Sequence, residues 1–163
     1  LIYYIILMIN NLTTYLTYEN IYLVANWGVI PFWLLLVIAP NNVLTRTIVQ
    51  SIIVPLLLSL AYLFVAYKIY LEGNIFDGFN LYLGLENLYT VYSDDSFLLI
   101  FWLHFLALSL FVGCWISRDS QKYFIPKILT IISLITTYFS GPVGLVFYWL
   151  FRIFFAKKIN FNE

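Results

Sequence analysis

The chain's one histidine, His104, falls about eight residues into a long apolar run. At 1.5 Å per residue a helical run would carry it about 12 Å below the membrane surface. An ionisable group at that depth is a functional candidate, because hydrocarbon offers its nitrogens no partner. Its ordinary pKa also suits proton transfer. The plainer reading is a neutral imidazole bonded to a neighbouring helix. Leu108, Phe111, Trp115 and Arg118 follow at steps of three or four, so one helical stripe leads from His104 toward the surface. Arg118 and Asp119 close that run as a headgroup contact, a paired cap or an acid at a cavity mouth. Arg152 sits in the tail of the last run, where snorkelling competes with binding a lipid or substrate. Asn26 suits an interhelical hydrogen bond better than catalysis.

The elements that must hold these groups are membrane helices. Of 163 residues, 63% are hydrophobic and 10% charged, more apolar surface than one small water-soluble core can hide. Four runs approach the roughly 20 residues a crossing needs: 22–40, 48–71, 96–116 and 128–155. The expected fold is therefore all-α, a single membrane domain over 1–163 built as a bundle of four transmembrane helices. Pro31, Pro55 and Pro142 fall inside three of the runs and are expected to kink them. Gly141-Pro142-Val143-Gly144 is the sharpest case, where backbone could approach another helix or a ligand closely. Residues 1–9 read as a short N-terminal helix or the remnant of a span. In the loop 73–95, Leu81, Leu85 and Leu88 suggest an amphipathic helix lying on the membrane surface. That loop holds acids and no Lys or Arg, which places it on the non-cytoplasmic side.

Eight basic against eight acidic residues leave no excess charge to attract nucleic acid. Cys114 has no second thiol to pair with and reads as packing. One histidine and one cysteine supply no metal site, no cofactor-binding motif is found, and the runs hold too few polar residues to line a wet pore. Membrane lipids are the partners this composition implies.

Trp102-Leu103-His104, Ala107, Leu110-Phe111-Val112-Gly113, Trp115-Ile116 and Arg118-Asp119-Ser120 resemble the most distinctive segment of the abscisic-acid-deficient-four-like membrane proteins. The resemblance extends through Asn26-Trp27, Pro31-Phe32-Trp33, Pro40-Asn41, Gly141-Pro142, Gly144-Leu145, Tyr148 and Arg152. The plant member of that family is needed to make neoxanthin from violaxanthin. The resemblance implies a four-span protein of a plastid membrane in plants, or of the inner membrane in bacteria, which the lean toward Ile, Asn, Lys, Phe and Tyr favours. It implies a carotenoid-like ligand and a redox-neutral epoxide isomerisation that needs one acid and one base beside an apolar groove. His104 and Glu86 are the catalytic candidates. Asn26, Trp33, Trp102, Phe111, Trp115, Gly141, Pro142 and Tyr148 are the substrate-binding candidates, with Arg118, Asp119 and Arg152 anchoring or pairing. Asp119 stands about 22 Å along the helix from His104, too far for one proton relay, which is why Glu86 or Asn26 is the better second group. The competing expectation is a non-catalytic subunit of a larger membrane complex, packed against other membrane subunits through apolar faces.

Overall fold

The computed structural model describes residues 15–73 and 75–157, all of whose regular structure is helical. The short helix expected at 1–9 lies outside the described residues. In chain order the helices are α1 (Tyr18–Gly28), α2 (Ile30–Ile38), a π-helical turn (Thr45–Val49), α3 (Ile53–Leu71), a 3-10 helix (Ile75–Leu83), α4 (Leu85–Tyr92), α5 (Asp95–Lys122), α6 (Lys127–Ser140) and α7 (Pro142–Ala156). Three apolar stretches among them are long enough to cross a membrane: Tyr18–Ile38, Ile53–Leu71 and Asp95–Lys122. The run read as a fourth span, 128–155, is divided at Gly141 into helices of 14 and 15 residues.

The prolines interrupt the runs as expected, each at the start of a new helical segment: the stretch Tyr18–Ile38 is broken at Val29 just before Pro31. Pro31, Pro55 and Pro142 each stand in a first turn, where a missing N–H costs nothing because that donor has no partner inside the helix. The stop expected at Arg118-Asp119-Ser120 is displaced. Helix α5 continues through these residues to Lys122, and the chain turns at Phe124, which takes a left-handed φ of 53°, before Pro126.

The described chain forms two compact units. In the first, residues 15–28 and 58–104, the start of α1 is tied to the end of α3. The Tyr18 hydroxyl donates to Glu72 Oε1 at 3.1 Å, and Lys68 Nζ donates to the Leu16 carbonyl at 3.3 Å while lying over the Tyr18 ring. Asp94 caps α5: its Oδ1 accepts from the backbone N–H of Ser96 at 2.9 Å and of Phe97 at 3.3 Å, and from the Ser96 hydroxyl. The loop expected to form one amphipathic helix forms two, the 3-10 helix and α4, with Phe76, Phe79, Tyr82, Leu85 and Tyr89 exposed.

In the second unit, residues 29–57 and 105–157, α6 and α7 fold back on each other. Gly141 makes the turn with φ 44° and ψ −84°, a left-handed backbone that glycine adopts without steric cost. Its position is level with Phe105 and Ser109 of α5, either of which a Cβ there would touch at 3.4 Å. Gly144 then passes so close to Thr137 that any Cβ would overlap the Thr137 backbone and hydroxyl. Residues seven apart in a straight helix are about 10 Å apart, so this approach is itself the mark of a hairpin. Trp33 of α2 packs edge-on against Tyr138, centroids 5.5 Å apart, and covers Gly113, where an added Cβ would fall 2.6 Å from the indole.

Candidate functional site

Helix α7 rises beside α5 in the same direction. From Gly141 beside Phe105 and Ser109, it carries Tyr148 against Trp115, centroids 5.2 Å apart, and Arg152 to Asp119. The Tyr148 hydroxyl donates to Asp119 Oδ2 at 2.6 Å, and Arg152 Nε donates to the same oxygen at 2.7 Å. Arg152 is 1% exposed and Asp119 12%. The guanidinium also lies over the rings of Tyr123 at 4.8 Å and Trp149 at 5.0 Å. Arg152 therefore does not snorkel. A buried guanidinium needs a counterion and further contacts to offset its desolvation, and Asp119 with two aromatic faces supplies both.

In front of this pair lies a cavity of about 570 Å³, walled by Ile52, Phe111, Cys114 and Trp115 on its apolar side and by Asp119 and Lys122 among its ionisable groups. Asp119 and Lys122 are one turn apart on α5, so they share a face. The opposite wall comes from Gln50 and Ser51, which lead out of the π-helical turn toward α3. Gln50 Nε2 donates to the Pro40 carbonyl at 2.9 Å and to Ser117 Oγ at 3.0 Å, and Cys114 Sγ donates to the Val49 carbonyl at 2.9 Å. These bonds pin the turn to α5, so the cavity has a fixed back wall.

The family model of the ABA DEFICIENT 4-like proteins matches residues 20–148, most of the chain. The chain belongs to this family. No curated protein and no solved structure matches it. The matched stretch holds Asp119 and the cavity wall of α5 and ends at Tyr148, four residues short of Arg152.

The second unit brings together most of the residues singled out by sequence: Trp33, Phe111, Trp115, Arg118, Asp119, Gly141, Pro142, Tyr148 and Arg152. Among them, Phe111, Trp115, Arg118 and Asp119 line the cavity directly. Asn26, Glu86, Trp102 and His104 belong to the first unit. Asn26 is half-buried on α1, and Trp102 packs against Tyr22 at 6.2 Å.

His104 corrects an expectation. Its ring is exposed, tilted against Tyr62 at 6.4 Å, and no hydrogen bond or ion pair reaches it among the described residues. The stripe through Leu108, Phe111 and Arg118 is exposed too. The buried face of α5 is instead Leu103, Leu106, Ala107, Leu110, Cys114 and Ser117. Small residues let neighbouring helices approach, and they rather than the aromatics turn inward. Glu86 is likewise exposed in the first turn of α4, with no side-chain bond or ion pair among the described residues. Axial distance from His104 counts against Asp119 only while the two are taken as partners. A hairpin brings Tyr148 and Arg152 to Asp119 instead, and its signal in the sequence is confined to Gly141 and Gly144 together.

Proposed function

We propose that this membrane protein binds a carotenoid-like lipid with one end group in the cavity beside Asp119, and isomerises an epoxide there without net redox change. In this reading three helices cross the membrane, and α6 and α7 form a hairpin that enters and returns on the side of the 123–126 turn. The observation that carries the reading is a largely buried carboxylate, held from behind by Tyr148 and Arg152, that lines a mostly apolar cavity together with an ammonium group.

Asp119 is the base and Lys122 the acid. One C–O bond of the epoxide breaks, and the oxygen takes a proton from the Lys122 ammonium to become an alcohol. Asp119 removes a proton from the adjoining polyene carbon, whose electron pair forms the new C=C bond. Proton return from Asp119 to Lys122 restores the starting state. Asp119 is held by Tyr148 and Arg152 before substrate arrives, which favours efficient general base catalysis.

The test is to purify the protein in mild detergent with an epoxy-carotenoid and record both the bound polyene absorption and the product. Wild type should retain pigment and convert it, while Asp119→Asn should retain pigment and lose conversion by about 10²-fold or more. A colourless wild-type sample with no conversion would overturn the reading in favour of a non-catalytic subunit.

A further inference from the structure

A second cavity of the same unit, about 420 Å³, is lined by Arg46, Gln50, Arg118 and Gln121. Its walls are polar and include no carboxylate. Arg46 belongs to the π-helical turn, a distortion that in other proteins recurs at functional sites. Arg118 lies one helical turn before Gln121 on α5. Neither arginine makes an ion pair among the described residues, and both are exposed. The neighbouring acid, Asp119, is already taken by Tyr148 and Arg152.

Gln121 completes the wall of the cavity, with its Nε2 buried behind the surface. Gln50 has both amide hydrogens committed to Pro40 and Ser117, so it acts as a strut that holds the π-helical turn at a fixed distance from α5. The donors left to the cavity are the two guanidiniums of Arg46 and Arg118.

We infer that Arg46 and Arg118 form a binding site for a phosphate group, either inorganic phosphate or the phosphate of an anionic phospholipid headgroup. Guanidinium forks match the spacing of phosphate oxygens and bind them bidentately. Gln50 and Arg118 line both cavities, but the phosphate site requires neither Asp119 nor Lys122, the groups of the proposed isomerisation.

The experiment measures binding to the full chain in neutral detergent, with inorganic phosphate in one arm and phosphatidylglycerol in the other, and phosphatidylcholine as the zwitterionic control. Wild type should bind phosphatidylglycerol or phosphate more tightly than the control, and the arm with the tighter binding identifies the source. Arg46→Gln and Arg118→Gln should each weaken that binding about tenfold, and the double variant should abolish the preference. Because both arginines are exposed, the thermal midpoint of the double variant without anion should equal that of wild type. Equal binding of all three probes, or an unaltered preference in the double variant, would overturn the site.

Discussion

The first unit holds a cavity of about 550 Å³ walled by Leu98, Leu99 and Trp102, with Glu19 and Asp95 as its acids; the second holds one of about 570 Å³ with Asp119 and Lys122. In volume and in apolar lining the two are close. They differ in what holds the charged groups. Glu19 and Asp95 are exposed, whereas Asp119 is largely buried and bound by a tyrosine and an arginine that are themselves buried. A solvated carboxylate must reorganise its water before it can react, and one fixed by protein donors need not. The second unit's advantage therefore lies in the hairpin that brings up Tyr148 and Arg152, not in the size of its cavity.

The contrast between the units depends first on topology. A hairpin that returns places the end of α7 on the same side of the membrane as the 123–126 turn. Single cysteines introduced at Phe124 and Lys157, in a Cys114→Ser background, should be labelled by an impermeant thiol reagent from one side only, the same side for both. Labelling from opposite sides would show that 128–155 crosses after all.

Next is the ion pair itself. Arg152→Met removes the counterion of a buried carboxylate and should cost about 3–5 kcal/mol, read as a fall in the thermal midpoint in detergent. Replacing Asp95 by Asn in the first unit should change stability by no more than about 0.5 kcal/mol, since that group is exposed. Gly144→Ala tests the hairpin without touching charge. The new methyl overlaps Thr137, so the two helices must separate, with a cost of about 1–3 kcal/mol or more and loosened packing of Tyr148.

The cap at Asp94 gives a smaller, pH-dependent effect in the first unit. The Ser96 hydroxyl bond, helped by the backbone N–H groups of Ser96 and Phe97, holds this carboxyl below the ordinary Asp range against a partial opposing desolvation. A depressed folded pKa means that the stabilisation is present above the unfolded value and is lost as pH falls through the folded one. Asp94→Ala should therefore cost about 1 kcal/mol at neutral pH. That deficit should shrink as pH falls below about 4, measured as the difference in midpoint between variant and wild type.

Much of the fold was legible because length and hydropathy suffice to find apolar helices: three long stretches stand close to where the runs placed them. What could not be read was which face turns inward. In α5 both faces are apolar, so Phe111 and Leu110 are equivalent by hydropathy although one is exposed and the other buried. The distinguishing signal was the row of small residues, Ala107, Cys114 and Ser117, and it points away from His104. The hairpin was hidden for a related reason. Residues 128–155 are long enough to cross, and only the left-handed turn at Gly141 with the contact at Gly144 shows that they do not run straight. Asp119 and Arg152, 33 residues apart in sequence, therefore looked like separate interfacial charges.

The smallest expected effect bears most directly on which unit holds the proposed chemistry. His104 is exposed and rests against the Tyr62 ring, so His104→Ala removes no buried contact. Its stability should change by no more than about 0.5 kcal/mol. Turnover of an epoxy-carotenoid should also be unaffected, since neither of the proton transfers proposed for Asp119 and Lys122 passes through the imidazole. The opposite pattern, with conversion lost in His104→Ala and retained in Asp119→Asn, would move the reaction to the first unit. It would leave the buried pair with a structural role alone, because neutralising a carboxylate that only balances Arg152 lowers stability and leaves turnover intact.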